Sequence, residues 1–295
     1  MYLTLLTALA AEAPPIVGGE RTGDYPAVLL LWTGDATCTG TLVAPNWLVT
    51  AAHCVKGGDP DKMSVHVGKR PFAGSEEASS DVTELFAHPD YRSNMSKGMD
   101  VGLVHLATPL ESVVPMPLTR ATIDNSWEGR DVRYVGYGVT SETANDSGVK
   151  RTVVVPFYQL DEHWMYTYDP GHNMCWGDSG GPAFVEEDGE LAVAGIISWV
   201  GSWDDEDRPC STGWGSSTRI DTVRDWIDGY VTVRYAEDTG SAEPWDTAPP
   251  PQDSDPVVEP KGPPDDKGGI CGTLPGAGSA MLGLLLLAGA RRRRG

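Results

Sequence analysis

Basic residues are scarce in this 295-residue sequence. It has 22 lysines and arginines against 42 aspartates and glutamates, a formal net charge of −20 at pH 7. Nucleic-acid phosphates would be repelled by such a chain, so we expect no nucleic-acid partner. A solvated, solubilising surface explains the acidic charge better than attraction of basic substrates does.

The sequence also lacks CxxC pairs, clusters of metal-ligand residues, internal repeats and long helical periodicity. Its five cysteines therefore favour an oxidising compartment over cytosolic metal binding, and we expect no metal and no cofactor. Short runs rich in valine and leucine, such as residues 27–32 and 191–200, alternate with Gly, Pro and Asp turns. This pattern is compatible with an all-β domain but does not establish one.

The most informative segment is Gly177-Asp178-Ser179-Gly180-Gly181-Pro182, which begins two residues after Cys175. A serine hydroxyl is a poor nucleophile at neutral pH and needs a nearby base and donors for the developing oxyanion. The glycines let the backbone bend until the N–H groups of Gly177 and Ser179 can converge on one oxygen. The segment therefore predicts a nucleophilic serine.

A base and a carboxylate precede this serine. Thr50-Ala51-Ala52-His53-Cys54 supplies a histidine, and Asp100-Val101-Gly102-Leu103 supplies an aspartate before an apolar strand. The chain order is therefore His, Asp, Ser, one of the orders in which catalytic triads occur. Together the three segments predict a hydrolase.

These segments, with Ile16-Val17-Gly18-Gly19 near the start, resemble the trypsin/chymotrypsin family of serine endopeptidases. The resemblance runs from about Ile16 to Tyr235. It implies two antiparallel six-stranded β-barrels, with the active site in the cleft between them and a short helix at the C-terminal end. Further landmarks follow in order: Gly136-Tyr137-Gly138, Ser198-Trp199, Thr218-Arg219-Ile220 and Asp225-Trp226-Ile227.

The resemblance implies a role for each triad residue. His53 is the general base, Asp100 orients it, and Ser179 attacks the peptide bond of a protein or peptide substrate to form an acyl-enzyme. The N–H groups of Gly177 and Ser179 form the oxyanion hole. A protease-fold binding module without catalysis and a structural surface protein are the alternatives, and the retained triad disfavours both.

The family likeness also implies an activation step. A free amino group at Ile16, created by proteolysis, would pair with the Asp178 carboxylate. The preceding Ala13-Pro14-Pro15 contains no lysine or arginine, which argues against self-activation by a basic-specific enzyme. Signal removal with trimming, or a different protease, would expose Ile16.

By resemblance, two disulfides are expected, Cys38–Cys54 and Cys175–Cys210, and Cys271 is left over. The segment Met165–Tyr168 contains no cysteine, so a bridge frequent in the family is absent there. Lys69 occupies a position where calcium-binding members have a carboxylate, which argues against a calcium site. The nearby carboxylates leave that question open: Glu76, Glu77 and Asp81.

The specificity pocket is predicted from motif positions. Asn173 stands at the floor, where trypsin-like enzymes have an aspartate, so the charge that would hold a P1 lysine or arginine is missing. Val200 follows the wall residues Ser198 and Trp199 and narrows the entrance, while Gly215 keeps the opposite wall open. We expect cleavage after small or medium uncharged residues. An adjoining loop is either a solvated charge run or a feature that favours basic residues beyond P1: Asp204-Asp205-Glu206-Asp207.

The N-terminal segment reads as an export signal. Residues 1–13 combine an apolar run with small residues suited to cleavage but lack a basic start. They predict a signal peptide, with a misassigned start or a first strand as the alternative. Residues 14–15 would be a propeptide remnant before a protease domain at 16–235.

The C-terminal segment has two parts. Residues 236–270, rich in Pro, Asp and Glu, predict a disordered spacer. Residues 271–295 contain Cys271, an apolar run at Leu274–Ala290 and four arginines, and resemble the cysteine-bearing sorting signals of myxobacterial surface proteins. Gly268-Gly269 resembles the related diglycine type, so the class of signal stays open. A plain transmembrane tail is the alternative. Either reading predicts a secreted enzyme anchored to the envelope through this segment, and the first adds a sorting or processing protease as partner.

Overall fold

The computed structural model describes residues 15–93, 98–203 and 207–236. The predicted signal peptide, most of the spacer, Cys271 and the C-terminal apolar run lie outside the described residues. Thirteen strands form the fold: β1 Glu20–Arg21, β2 Val28–Trp32, β3 Thr37–Ala44, β4 Trp47–Thr50, β5 Ser64–Val67, β6 Ala78–Ala87, β7 Gly102–Leu106, β8 Asp131–Gly136, β9 Arg151–Leu160, β10 Trp164–Thr167, β11 Pro182–Glu187, β12 Glu190–Gly201 and β13 Trp214–Arg219.

The strands close into two antiparallel barrels, as the sequence predicted. The first has the order β2-β3-β4-β7-β6-β5. The second has the order β9-β10-β13-β12-β11-β8 and is closed by pairing of β8 with β9, while β1 adds to the outer edge of β9. Each barrel has six strands, and the fold class is confirmed.

The helices are short. They are Pro15–Gly18, which is kinked at Ile16, then Ala52–Val55, Pro209–Thr212 and Arg224–Asp228, with 3-10 turns at Pro60–Lys62, Pro71–Ala73, Asn125–Trp127 and Ile220–Thr222. Within the described ranges, none of them is long and apolar enough to cross a membrane.

Apolar side chains fill both barrels because valine, leucine and isoleucine recur on the inward faces of the strands. Leu29, Leu31 and Leu103 are fully buried in the first barrel, and Val132 and Val155 are fully buried in the second. The cores hold the strands rigidly, so the loops at their ends can position polar groups.

The C-terminal helix joins the barrels. Its Trp226 packs against His88, with ring centroids 5.0 Å apart, and Tyr230 packs against Phe86 at 4.7 Å. Both partners belong to the first half of the chain, so the last helix fastens the second half of the chain to the first barrel.

Candidate active site

His53 and Asp100 are brought together by two neighbouring strands. His53 lies in the helix Ala52–Val55 just after β4, and Asp100 lies just before β7, which pairs with β4. Gly102 permits the close approach, because a Cβ there would lie 2.6 Å from a Val55 methyl group. The Asp100 carboxylate accepts the His53 backbone N–H at 2.9 Å and lies 2.7 Å from His53 Nδ1. Both contacts fix the orientation of the imidazole ring.

The environment of Asp100 favours its charged form. Asp100 is only 2% exposed, and Ser198 donates its hydroxyl to Oδ2 at 2.5 Å. Burial by itself raises the pKa of Asp100, but attraction to His53 and the hydrogen bonds from His53 and Ser198 hold this pKa below its ordinary value. Burial lowers the pKa of His53, but attraction to Asp100 and the hydrogen bond between them raise it by more, so the pKa lies above its ordinary value. The pair is therefore suited to carry a positive charge on the imidazole.

Ser179 sits in a tight turn pressed against the first barrel. Its carbonyl accepts the N–H of Thr39 at 2.8 Å. Gly180 has φ of 84°, and a Cβ there would lie 2.0 Å from Thr50 Oγ1, so only glycine fits. Thr50 is the last residue of β4, three positions before His53, and the turn is thereby packed against the strand that leads to the histidine. Ser179 itself is 5% exposed, and His53 Nε2 has no hydrogen-bond partner among the described residues.

The predicted oxyanion residues flank Asp178. Gly177 has φ of 96°, and its carbonyl accepts the Thr39 hydroxyl at 2.9 Å. In the described part of the chain, neither the Gly177 N–H nor the Ser179 N–H donates a backbone hydrogen bond. Neither N–H is therefore engaged by a backbone carbonyl, as the oxyanion role implied by the resemblance requires.

Asp178 is fully buried and held by backbone donors. Oδ1 accepts the Gly138 N–H at 2.7 Å, and Oδ2 accepts the Cys175 N–H at 2.9 Å. A Cβ at Gly136 or Gly138 would collide with this carboxylate, at 2.2 Å and 2.6 Å. Burial raises the pKa of Asp178 to about 6, although the two N–H groups and the charge of Arg151 lower it.

Ile16 is buried in the apolar cluster of the second barrel, which also contains Met174 and Ile197. Its φ of 40° is strained for a β-branched residue. The Val17 carbonyl accepts the N–H of Asn173 at 3.0 Å and so attaches this segment beside the predicted pocket. The structure is that of the uncut chain, where the Ile16 nitrogen belongs to a peptide bond and carries no positive charge.

A buried cation supports the same region, and the sequence did not reveal its role. Arg151 Nη1 donates to the carbonyls of Gly138, Asp146 and Val149 at 2.7, 3.0 and 3.3 Å. Its Nη2 pairs with Asp146 Oδ2 at 2.9 Å. Asp146 in turn accepts the N–H and hydroxyl of Thr140, both at 3.1 Å. The sequence signal was a basic residue two positions before the apolar run at 153–155.

The predicted pocket residues lie together, with one addition. Val200 pairs with Gly215 across β12 and β13. A Cβ on Gly215 would lie 2.3 Å from Met174 Cε and 2.8 Å from Asn173 Oδ1. Asn173 donates Nδ2 to the Pro209 carbonyl at 3.3 Å and accepts the Met174 N–H at 2.9 Å. Met174, which the sequence prediction omitted, therefore occupies space beside the pocket floor.

Two disulfides brace these elements. Cys38–Cys54 links β3 to the helix of His53, and Cys175–Cys210 links the segment before Ser179 to the helix Pro209–Thr212. Disulfides of this kind contribute about 2–4 kcal/mol each. Met165–Tyr168, which lacks the family's bridge, is held mostly as strand β10, and Tyr166 packs on Trp214 at 5.1 Å.

No convincing metal site emerges from the residues that the structure describes. The one cluster of three potential ligands there is Cys38, His53 and Cys54, and its two sulfurs are already joined in a disulfide. Glu76 contacts His66 Nδ1 at 2.5 Å.

Comparison with known proteins agrees with this architecture. A family model described as "Trypsin" matches residues 16–227. A protein named trypsin from Saccharopolyspora erythraea is 32% identical over 203 residues, covering 62% of this chain and 86% of that protein. A tryptase of Mus musculus is 27% identical over 276 residues, which cover 78% of this chain and 96% of that protein. The vitamin K-dependent protein C of Mus musculus is 28% identical over 247 residues, but this match spans 74% of the chain and only about half, 52%, of that relative.

Proposed function

This chain belongs to the trypsin family and is a serine-type endopeptidase, and from that premise we propose that His53, Asp100 and Ser179 hydrolyse peptide bonds through an acyl-enzyme. The observation that carries the proposal is the double contact between His53 and Asp100, at 2.9 Å and 2.7 Å. It holds the base in one orientation, as a triad requires.

Each step assigns one task to one group. His53 Nε2 takes the hydroxyl proton of Ser179 as Oγ attacks the substrate carbonyl, and Asp100 stabilises the imidazolium that forms. The N–H groups of Gly177 and Ser179 bind the oxyanion of the tetrahedral intermediate. His53 then gives its proton to the leaving amine, and water attacks the acyl-enzyme by the same route in reverse.

Specificity is proposed to favour small or medium uncharged P1 residues. Asn173 supplies no carboxylate, and its amide group is already bonded to the backbone of Pro209 and Met174. Val200 is branched and faces Gly215 across the strand pair, with the Met174 methyl group beside it. A lysine or arginine side chain would find no carboxylate at the pocket floor to offset its charge.

Activation is proposed to require cleavage between Pro15 and Ile16. The ammonium released at Ile16 would then pair with Asp178. Burial raises the pKa of Asp178 to about 6, and a nearby ammonium would lower this pKa and favour the charged carboxylate, which supports the proposal.

Export and surface anchoring complete the proposal and rest on sequence. The disulfides favour an oxidising compartment. The domain plan of signal, propeptide remnant, protease, spacer and sorting segment with Cys271 would display the enzyme at the envelope through its C-terminal segment. Cell fractionation tests this, and a full-length chain found entirely in the cytoplasm would contradict it.

A fluorophosphonate probe tests the catalytic assignment, because such probes label only an activated serine. Ser179→Ala should abolish labelling and lower peptide hydrolysis on the order of 10⁶-fold, and His53→Ala should do nearly the same because the two act as a unit. The matched control is Ser126→Ala, which removes a hydroxyl from an exposed turn. Equal labelling of the Ser179 variant and the control would refute the mechanism.

A further inference from the structure

A groove opens on the second barrel beside the turn between β9 and β10. It encloses about 270 Å³ and is lined in part by Tyr158, Asp161, Tyr166, Trp203 and Trp214. Trp203 is 54% exposed and Tyr158 is 44% exposed, although large aromatic side chains usually bury most of their surface. An exposed aromatic concavity of this kind is typical of a binding surface.

Three ring pairs in and beside the groove stand edge to face. Trp203 meets Tyr168 at 4.9 Å and Tyr158 at 6.1 Å between ring centroids, and Tyr166 meets Trp214 at 5.1 Å. Trp203 and Trp214 are tilted by 39° with centroids 6.1 Å apart, so the neighbouring rings brace one another. Exposed ring faces carry negative electrostatic potential and attract organic cations.

Among the described residues that line the groove, the charged group is a carboxylate, and Gln159 adds an uncharged amide. Asp161 is exposed, and its Oδ1 accepts the N–H groups of His163 and Trp164, both at 2.9 Å. Tyr166 donates its hydroxyl to Oδ2 at 2.7 Å, which fixes the carboxylate beside the rings.

The charge at the groove is acidic. None of the described residues that line it is a lysine or an arginine. Arg219 reaches the backbone carbonyl of Asp161, but its guanidinium is paired with Asp221 at 2.7 Å and 3.0 Å. The charge and the rings together fit a cation with an apolar stem.

The groove adjoins the catalytic cleft. Trp214 packs on Trp199, with centroids 4.7 Å apart, and Trp199 follows Ser198, whose hydroxyl binds Asp100. Across β12 and β13, Val200 pairs with Gly215, and the next pair along is Gly201 with Trp214. Because successive residues of a strand point to opposite faces, Trp214 shares its face with Trp199 and lies on the other face from Val200 and Gly215. The groove therefore reaches the cleft along the face of Trp199.

We propose that this groove binds a lysine or arginine side chain of the polypeptide substrate, at a position other than P1. The aliphatic stem packs on Trp203 and Trp214, and the charged end lies between the ring faces and Asp161. The proposal rests on the proposed function, because it takes the ligand to be part of the peptide that Ser179 cleaves. The two sites then have opposite preferences: the P1 pocket disfavours a positively charged side chain, and the groove favours one at another position of the same substrate.

The test uses internally quenched peptides that share one uncharged P1 residue. A lysine is placed in turn at each of four positions on either side of the cleaved bond and is compared with norleucine, which has a similar stem without the charge. At one position lysine should raise kcat/KM about 3- to 10-fold over norleucine. Equal rates at all positions would overturn the proposal.

Two aromatic variants locate the effect. Trp203→Ala should remove the lysine-to-norleucine ratio, whereas Phe72→Ala should keep it, because Phe72 is an equally exposed aromatic, 58%, that packs on Trp32 of the first barrel. A ratio that survives in the Trp203 variant would assign the preference to the acidic run that follows Trp203 in the sequence and would overturn the groove.

A binding measurement separates this proposal from the proposed function. The full chain carrying Ser179→Ala is titrated with the same lysine and norleucine peptides, with tryptophan fluorescence as the readout. Tighter binding of the lysine peptide, by a similar factor, supports the groove even if the unaltered chain hydrolyses none of the peptides, in which case only the proposed function fails. Hydrolysis without discrimination in either assay refutes the groove alone.

Discussion

Replacing Arg151 with methionine should destabilise the protein far more than the same change at Arg234. Both arginines pair with a carboxylate, but their surroundings differ. Arg151 is fully buried, and its guanidinium also bonds three backbone carbonyls. Arg234 is 32% exposed, and its side-chain partner in the described part of the chain is Glu190, at 2.6 and 2.8 Å. Methionine keeps an unbranched apolar stem at either site and removes every donor.

The expected loss follows from what each change leaves unpaired. Without Arg151, the carbonyls of Gly138 and Val149 remain buried without a donor, at about 1–3 kcal/mol each. Asp146 is 38% exposed and keeps its bonds to Thr140, so water can solvate its carboxylate. Removing the guanidinium also removes the free-energy cost of keeping its charge out of water, which offsets part of the loss. The net loss should be about 2–4 kcal/mol, against about 0–1 kcal/mol for the exposed pair.

Urea denaturation of the full chain measures this difference in the free energy of unfolding. In thermal denaturation, the Tm of the Arg151 variant should fall by roughly 5–10 °C for a domain of this size. Fluorophosphonate labelling should also slow in the Arg151 variant, because Gly138 bonds both Arg151 and Asp178. Arg151→Lys should recover part of the stability, since an ammonium reaches some of the same carbonyls. If Arg151→Met costs no more than Arg234→Met, the buried network does not support this region.

Two other changes address the pocket and the buried carboxylate. Asn173→Asp should raise cleavage after lysine and arginine only modestly while Val200 stays, and adding Val200→Gly should raise it further in a peptide-library profile; an arginine-dominated wild-type profile would contradict this reasoning. For the uncut chain, the folded-state pKa of Asp178, about 6, lies above its ordinary value of 3.8. The folded chain therefore holds a proton that the unfolded chain has released, so this contribution to stability is complete below pH 4 and is lost as pH rises through 6, by about 2–3 kcal/mol. Urea melts at pH 4 and 7.5 should show this loss in wild type and not in Asp178→Asn, and an identical pH dependence in both would refute it.

The triad could be anticipated because its signals are local. Three short segments around His53, Asp100 and Ser179 each combine a reactive side chain with small neighbours or an apolar strand, and these are properties that a few consecutive residues express. The two-barrel fold came from the resemblance those segments carry. The alternating composition was only compatible with it.

The supporting residues could not be found in this way, because their roles depend on burial and on distant parts of the chain. Arg151 reads as an ordinary basic residue until the fold surrounds it with carbonyls. Met174 matters because β13 places Gly215 against its methyl group. The groove joins Tyr158 to Trp214 through three strands, a juxtaposition that no short window of sequence contains.

Asp178 shows how the barrels and the proposed activation depend on one another. Its carboxylate is enclosed so tightly that Gly136 and Gly138 cannot carry a Cβ. Among the described residues, two backbone N–H donors and the charge of Arg151 offset its charge. A free ammonium at Ile16 would add an adjacent positive charge, which lowers the pKa of a buried carboxylate and stabilises its ionised form. Asp178 lies between Gly177 and Ser179, so an ion pair at Asp178 would stabilise the turn that carries both proposed oxyanion donors. Cleavage before Ile16 would therefore order the part of the site where charge develops during catalysis, and the strained φ of Ile16 in the uncut chain lies at the point where that cut would release it.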